Sequence, residues 1–367
     1  MKKKWMIVCF FAILLMPNLL GLVFGYQAEA GNAEKRELAG PPELSFANLN
    51  KIPGQTEDYI NDHAPFRNGF IDAYATFNME LFHSIDNKEV IVGKDKWLFY
   101  TGNESMVDTL GVCPFTEDQL EMILDRLLAV RDRYAENHEN FVFYIAPNKE
   151  IVYRQYMPDY YAPQSDTSKA LELVKYIREN SDIKVIYPME ELKEASKENL
   201  VFYKTDTHWN NLGGFIGVQE LIGALGAEKT DYRDVRVEYS EGTRGDLGDL
   251  GHTPMRYLEE TEAAISGYRE DVSINMLENN DGGSGVIRAE TEGAPDQRSV
   301  LMIRDSFAIA MAPVMMRHFE STMFVDWQKI ADTDFGQAKS DVFVYEIVER
   351  NLGRMSMDLD ALLANPS

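Results

Sequence analysis

Two short segments of the sequence contain the residue types of a serine-based acyl-transfer site. An apolar strand pattern over Val300–Ile303 is followed by Ser306, which stands at the start of a predicted helix from about Phe307 to Phe319. A serine in that position lies at the positive end of the helix dipole, where free backbone N–H groups can hold an oxyanion. Serine is also a common helix cap, so Ser306 taken alone supports either a nucleophile or a cap.

The second segment contains Asp206 and His208, which one residue separates just before a helix predicted to begin at Gly213. A serine nucleophile needs an imidazole base, and a carboxylate must hold the other imidazole nitrogen. In an extended or turn segment both side chains can project to one side. We therefore predict that His208 reaches the Ser306 hydroxyl and that Asp206 contacts the far nitrogen.

Three other interpretations of the Asp206–His208 pair remain open: a surface loop, a core histidine beside Trp209, and half of a metal site. The metal interpretation lacks partners, because none of the other histidines has a ligand-like spacing from His208. We expect no metal and no cofactor.

The elements that must position these side chains alternate between helix and strand, which is typical of an α/β fold with a mostly parallel sheet. In such sheets ligands bind beyond the carboxyl ends of the strands. Residues 233–298 interrupt the alternation, because they are rich in Glu, Asp, Gly and Asn, and we interpret them as a polar insertion of short strands and loops. The predicted strands are 141–145, 183–187, 300–303, 322–325 and 342–345, with a hairpin at 90–100, and the predicted helices are 117–137, 168–180, 213–225 and 307–319.

The composition excludes several classes of protein. The 367 residues are 45% hydrophobic and 26% charged, as in an ordinary globular chain. The formal net charge of −24 makes nucleic acid an unexpected partner, because phosphates are repelled. Cys9 and Cys113 are the only cysteines of the sequence, too few for a disulfide framework or a cysteine metal cluster.

The first residues indicate export. Lys2, Lys3 and Lys4 precede an apolar run from Trp5 to Gly25 of nearly bilayer-spanning length. We expect residues 1–27 to be a signal anchor that holds the protein on the membrane outside the cytoplasm; cleavage near Ala30 would make them a signal peptide and the protein secreted. The predicted organisation continues with a tether over 28–54, a catalytic domain over 55–355 and a tail over 356–367.

Several motifs together resemble a known family. Asp206-Thr207-His208-Trp209, followed by Asn210 and Gly213-Gly214, and the later Arg304-Asp305-Ser306-Phe307 resemble the SGNH-hydrolase-like domain of the alginate-type polysaccharide O-acetyltransferases and of the related DHHW-motif proteins. The resemblance runs from about residue 34 to 352. Supporting matches lie at 62–67, 90–94, 97–100, 147–149, 245–247 and 341–350.

The resemblance implies an SGNH-hydrolase-like (flavodoxin-like) fold with a permuted motif order, in which Ser306 is the nucleophile, His208 the base and Asp206 its orienting partner. Two features depart from the family pattern. Arg304 occupies the place of the usual glycine, and no clear Gly-x-Asn-Asp block supplies an oxyanion donor. The residues then considered as oxyanion donors or substrate contacts are Arg304, Arg350, Asn351, Asn148, Lys149 and Trp209.

The function implied by the resemblance is transfer of acetyl groups to hydroxyls of an exported polysaccharide. The acetyl donor would come from a multi-span membrane acyltransferase, since acetyl-CoA is not available outside the cytoplasm. A carbohydrate esterase or deacetylase is the enzymatic alternative, because an acyl-serine reacts with water as well as with a sugar. A non-catalytic glycan-binding subunit is a further alternative, in which Trp97, Trp209, Tyr100 and Tyr203 would stack on sugars. A binding module has no need of the complete Asp206, His208 and Ser306 set.

Overall fold

A computed structural model describes residues 2–24, 38–45, 48–82, 84–165, 167–280, 285–335 and 340–365. The chain divides into two compact units, one of Met1–Asn87 with Gly248–Leu258 and the other of Lys88–Leu247 with Glu259–Ser367. This division differs from the predicted tether and body, because residues 55–87 lie in the first unit. The motif near Ala30 and parts of the predicted tether (28–37 and 46–47) lie outside the described residues.

The secondary structure of the described residues comprises short strands and mostly short helices. The helices are α1 Lys2–Phe24, α2 Ile52–His63, α3 Arg67–Phe82, α4 Ser105–Leu110, α5 Glu117–Tyr134, α6 Lys149–Val152, α7 Lys169–Asn180, α8 Met189–Ala195, α9 Asn211–Ala224, α10 Asp246–Leu250, α11 Ala312–His318 and α12 Met355–Ala364. The strands are β1 Val90–Val92, β2 Leu98–Tyr100, β3 Phe141–Ala146, β4 Lys184–Ile186, β5 Arg236–Glu241, β6 Thr261–Ser266, β7 Ser273–Asn280, β8 Val286–Glu292, β9 Asp296–Arg304, β10 Phe319–Asp326 and β11 Val342–Val348.

The first unit contains α1, α2 and α3. Pro53 lies in the first turn of α2, where its missing N–H breaks no intrahelical bond. No residue of α2 is buried, and α3 buries Asn78. Within the parts of the chain that the structure describes, no helix combines the length and the apolar character needed to cross a bilayer.

The second unit is built on a seven-stranded sheet with the order β4-β3-β11-β9-β10-β8-β7. The first five strands of this order run parallel, and β8 and β7 pair antiparallel at one side. Val348 pairs with Ala146 and Tyr345 with Ile303, so β3, β11 and β9 end at the same edge. That edge therefore collects the segments that follow three strands.

Each central strand is buried on both faces. In β3 the side chains of Val142 and Tyr144 enter one core cluster with α9 and α11, whereas Phe141, Phe143 and Ile145 enter the other with α5, α7 and α12. Alternate side chains of a strand point to opposite faces, so a strand covered on both faces needs an unbroken apolar run. This confirms the sheet flanked by helices predicted from the apolar strand patterns.

Local sequence patterns predicted the starts of α5 and α7 to within one residue. Thr116 caps α5 with a complete capping box that includes Gln119, and Ser168 caps α7 through Leu171 N. The predicted 90–100 hairpin is present as β1 and β2.

Three predicted elements differ from the structure. The helix predicted from Phe307 is a 3₁₀ turn, Ser306–Ile309, followed by α11, because Pro313 in the first turn of α11 cannot continue a preceding helix. The insertion is only partly separate: β5 and β6 form their own sheet, but β7 and β8 extend the main one. The predicted tail contains α12, whose Leu359 and Leu362 are fully buried and make it part of the core.

Two buried carboxyl groups predict how stability depends on pH. Burial, reinforced by the charge of Glu349, raises the pKa of Asp108 to about 8, and burial raises the pKa of Glu349 to about 7. Unfolded carboxyl groups lose their protons near pH 4, whereas these two groups keep theirs up to about pH 7 or 8 in the folded protein. From about pH 4 to pH 8 the folded protein therefore holds more protons than the unfolded chain. We expect the free energy of unfolding to fall as pH rises through this window, and Asp108→Asn to reduce that fall in urea titrations at pH 5 and 8. Asp182→Asn, at an exposed site, is the control and should leave the pH dependence of the unfolding free energy unchanged. If Asp108→Asn leaves it unchanged as well, this account is wrong.

Candidate active site

The loop that contains Asp206 and His208 is a hairpin-like turn that precedes α9, and not the end of a sheet strand. Phe202 forms an antiparallel bridge with Trp209, and Tyr203 N donates to His208 O at 3.2 Å. Asn210 then caps α9 by accepting from Leu212 N at 3.0 Å. The cap and the bridge fix both ends of the loop.

The structure brings Ser306, His208 and Asp206 together in one hydrogen-bonded row. His208 Nε2 lies 2.7 Å from Ser306 Oγ, and His208 Nδ1 lies 2.6 Å from Asp206 Oδ1. Both predicted contacts are therefore present. With Nδ1 donating to the carboxylate, Nε2 faces the hydroxyl as an acceptor, which is the arrangement in which an imidazole can remove the serine proton.

The surroundings of Asp206 stabilise its ionised form beside the imidazole. Its Oδ1 also accepts from His208 N at 3.0 Å, and its Oδ2 accepts from Asp246 N at 2.8 Å. Burial by itself would raise the pKa of Asp206, but the hydrogen bond and charge of His208 and the two amide donors outweigh it and hold that pKa well below its usual range. A permanent negative charge here can stabilise an imidazolium.

Ser306 follows the end of β9 and is not the helix cap. The cap is Asp305, whose Oδ1 accepts from Phe307 N at 2.9 Å and whose Oδ2 accepts from Val348 N at 2.8 Å. The Ser306 residue is exposed, and its hydroxyl contacts His208. As the first residue of the 3₁₀ turn, Ser306 has a backbone N–H without an intrahelical acceptor, which makes this N–H a candidate oxyanion donor.

Two supporting carboxylates were not identified as site residues from the sequence. Asp246 accepts from Thr207 N at 2.7 Å, and its Oδ2 lies 3.7 Å from His208 Nδ1. Glu260 accepts from Thr205 N and Thr205 Oγ1, each at 2.6 Å. The Gly245-Asp246-Leu247 match was a signal for the first, but no local pattern marks Glu260.

Gly245 allows this second segment to approach the catalytic loop. A Cβ at Gly245 would lie 2.5 Å from the Asp206 Cβ and 2.6 Å from the Thr205 carbonyl group. These separations are shorter than any real contact, so a side chain at this position would push the Asp246 segment away from Asp206.

Four of the predicted substrate or oxyanion residues are at most 2% exposed, and each has a hydrogen-bond partner within the protein. Trp209 is 1% exposed and its Nε1 donates to Phe307 O at 2.8 Å, so it lies in the core and is not a substrate contact. Arg304 is 2% exposed and pairs with Asp326 at 3.1 Å. Asn148 and Lys149 are also buried; Asn148 Oδ1 accepts from Arg350 N at 3.3 Å, and its Nδ2 has no hydrogen-bond partner among the described residues. Buried side chains with protein partners are poorly placed to contact a glycan.

Arg350, at 9% exposed, packs on the ring of Phe307, the residue that follows Ser306. Its guanidinium carbon lies 5.1 Å from the Phe307 ring centroid and 5.6 Å from the Tyr100 ring centroid. Asn351 is half-buried and accepts from Asn103 Nδ2 at 3.3 Å. Of the aromatic residues considered as sugar platforms, Trp97 and Trp209 are buried, which leaves Tyr100 and Tyr203 half-buried.

Comparison with known proteins agrees with the motifs. Residues 90–257 match the family model described as the SGNH hydrolase-like domain of the acetyltransferase AlgX. The probable alginate O-acetylase AlgJ of Pseudomonas putida is 25% identical over 178 residues, 48% of this chain and 43% of that protein. The AlgJ protein of Pseudomonas syringae pv. tomato is 27% identical over 173 residues, 46% of this chain and 41% of that protein. The chain thus spans less than half the length of these curated relatives.

Solved structures support the fold. A DHHW family protein from Eubacterium siraeum is 12% identical and superposes with a TM-score of 0.52, covering 74% of this chain and 97% of that chain. Bacillus cereus PatB1 is 18% identical, with a TM-score of 0.51 and coverage of 74% and 99%. The chain therefore has the SGNH-hydrolase-like α/β fold and is similar to the AlgX, AlgJ and PatB1 proteins.

Proposed function

We propose that this protein transfers acetyl groups to hydroxyls of a polysaccharide through an acetyl-Ser306 intermediate. The observation that supports this most directly is the row of Ser306, His208 and Asp206 with separations of 2.7 and 2.6 Å. Its similarity to the AlgX and AlgJ proteins, whose names specify acetyl transfer, favours a glycan acceptor over other acyl acceptors.

In the first half-reaction, Ser306 Oγ attacks the carbonyl carbon of the acetyl donor while His208 Nε2 takes the hydroxyl proton. The negative charge that develops on the carbonyl oxygen is stabilised by the Ser306 N–H, and Arg350, whose guanidinium lies 5.1 Å from the ring of the adjacent Phe307, is the candidate for an additional positive charge. When the donor bond breaks, the proton on His208 passes to the leaving group. Ser306 then carries the acetyl group as an ester.

The second half-reaction repeats these steps with a sugar hydroxyl as the nucleophile. His208 removes the proton from the sugar hydroxyl, whose oxygen attacks the acetyl carbon. The Ser306 ester bond breaks and Oγ regains the proton from His208, so that an acetylated sugar leaves and the enzyme is restored. Asp206 stabilises the imidazolium formed in each half.

Hydrolysis is the second candidate function, because Ser306 is exposed and water can take the place of the sugar. Transfer requires that a bound acceptor hydroxyl outcompete water by its orientation. The two functions therefore differ in their product and not in their catalytic residues.

The experiment uses the full-length chain in detergent, p-nitrophenyl acetate as donor, and neutral and uronate-containing oligosaccharides as separate acceptors. We expect acetyl-Ser306 in the intact-mass spectrum and acetylated sugar among the products. Acetate as the sole product with every acceptor would identify an esterase. Sugar binding without any acetyl-Ser306 would favour the glycan-binding subunit.

We also propose that the protein acts outside the cytoplasm and receives acetyl groups from a membrane acyltransferase. The support is the Lys2–Lys4 cluster followed by the apolar stretch of α1. Protease added to intact cells should digest the body of the protein. Protection from protease until the cells are lysed would overturn this localisation.

A further inference from the structure

Lys149 is a buried cation behind the catalytic loop. It begins α6, directly after the end of β3, and is 1% exposed. Lysine is seldom buried so completely without a paired carboxylate. Among the described residues, however, no carboxylate oxygen lies within 4.0 Å of its ammonium. The charge must therefore be held by other groups.

Three backbone carbonyls of the catalytic loop surround the ammonium. Lys149 Nζ donates to Asp206 O at 2.6 Å, and to Tyr203 O and Lys204 O at 3.3 Å each. An ammonium has three N–H donors, and each donor has one of these carbonyls as its acceptor. The Lys149 side chain thus binds the carbonyl of Asp206 and the carbonyls of Tyr203 and Lys204, which precede it in the loop.

Two buried aromatic rings also lie near the ammonium. The centroid of the Trp97 ring lies 5.8 Å from Nζ and that of the Phe99 ring 5.4 Å, and both rings are fully buried. Burial lowers the pKa of Lys149, while the carboxylates of Glu150 and Asp246 act in the opposite direction. Without the ammonium, Tyr203 O and Asp206 O would lose this donor, whereas Lys204 O would keep its bond from Leu98 N at 2.9 Å, so the loop backbone would be held less firmly on the Asp206 side.

We propose that Lys149 is a positioning residue that holds the backbone of Tyr203–Asp206 so that the Asp206 carboxylate keeps its 2.6 Å contact with His208. The proposal rests on the proposed acyl-transfer function, and it replaces the earlier expectation that Lys149 contacts substrate. Lys149 is buried and contacts the loop backbone from the protein interior, whereas Ser306 is exposed to solvent.

The test compares Lys149→Met with Lys169→Met in the full-length chain. Lys169 is a matched control, because it is 8% exposed and lies 5.5 Å from the Phe115 ring but pairs with Glu104, outside the catalytic loop. With p-nitrophenyl acetate we expect Lys149→Met to lower kcat about 10²-fold with little change in KM, as for a misplaced catalytic group. Lys169→Met should retain the wild-type kcat. Equal kcat values in wild type and a folded Lys149→Met variant would overturn the proposal.

A second readout does not depend on catalysis. The proton in the short bond between His208 Nδ1 and Asp206 should give a proton NMR signal far downfield of the amide region, identified by its loss in His208→Gln. We expect Lys149→Met to shift or broaden this signal and Lys169→Met to leave it in place. An unaltered signal in Lys149→Met would overturn the positioning role. If wild type does not react with the acetyl ester, the proposed function fails while the NMR comparison still decides the role of Lys149.

A double variant tests whether Lys149 acts through Asp206. If it does, Lys149→Met should have little effect on kcat in an Asp206→Asn background, whereas independent effects would multiply. Should Lys149→Met fail to fold, Lys149→Arg takes its place, because it keeps a cation whose planar donors cannot match all three carbonyls. If the kcat losses of Lys149→Met and Asp206→Asn multiply fully in a folded double variant, the proposal is wrong.

Discussion

Ser306→Ala is expected to abolish formation of the acetyl-enzyme and to lower the transfer rate by roughly 10⁶-fold, the loss seen when an acyl-enzyme nucleophile is removed. Ser306 Oγ is the hydroxyl that contacts His208 Nε2, at 2.7 Å, and the neighbouring Asp305 is committed to the cap. After brief mixing with p-nitrophenyl acetate, peptide mapping by mass spectrometry should find acetyl on the peptide that contains Ser306 in the wild type and none on the corresponding peptide of the variant. Product analysis should show neither acetylated sugar nor enzymatic acetate.

A capping serine is the matched control for this prediction. Ser168→Ala removes a hydroxyl that accepts from Leu171 N at 3.3 Å at the start of α7. It should cost about 1 kcal/mol of stability and leave the transfer rate unchanged. If Ser306→Ala behaves in the same way, with normal acetyl transfer and slightly lower stability, Ser306 is a structural residue and the proposed mechanism is wrong.

Asp206→Asn is expected to lower kcat about 10⁴-fold, as the corresponding substitution does in serine proteases. The asparagine amide supplies no negative charge to His208. The imidazole therefore loses the partner that holds its Nδ1–H tautomer and that stabilises its protonated form. The fold should be retained, because an amide oxygen can still accept a backbone N–H, and the stability loss should be about 1 kcal/mol. Single-turnover kinetics with a thermal unfolding curve will measure both quantities.

Asp246→Asn is the natural control, since its carboxylate lies 3.7 Å from Nδ1 and does not bond to it directly. Its effect on kcat should be much smaller than that of Asp206→Asn. If the two variants lose the same amount of activity, the charge near the imidazole matters and the specific Asp206 bond does not. Activity lost only in proportion to unfolding would make Asp206 a structural residue.

Most of the local structure could be predicted from sequence patterns. The apolar runs that became β3, β9 and β11 were recognisable because strands covered on both faces contain few polar residues. Caps at Thr116 and Ser168 depend on residues within three positions along the chain. Pro313 is also visible in the sequence, and the helix predicted from Phe307 did not take it into account.

The candidate triad could be assembled from sequence because Ser306 follows a strand of the main sheet and its two partners share a short motif. Ser306 comes two residues after Arg304, the last residue of β9, and the Asp206-Thr207-His208-Trp209 motif supplied its partners across 98 residues. The distances, and the role of Asp305 as the cap in place of Ser306, depended on tertiary structure. Local patterns specify residue types, whereas hydrogen bonds across the chain require coordinates.

The sequence by itself determined the α/β class, the main strands and the three side chains proposed for catalysis. Tertiary structure alone decided which polar residues face the interior, and it turned Lys149 and Arg304 from candidate substrate contacts into buried partners of the Asp206 carbonyl and of Asp326. It likewise revealed Glu260, which contacts Thr205 from 55 residues away. The physical reason is that burial depends on what packs over a side chain, and those neighbours are distant in sequence and close only after folding.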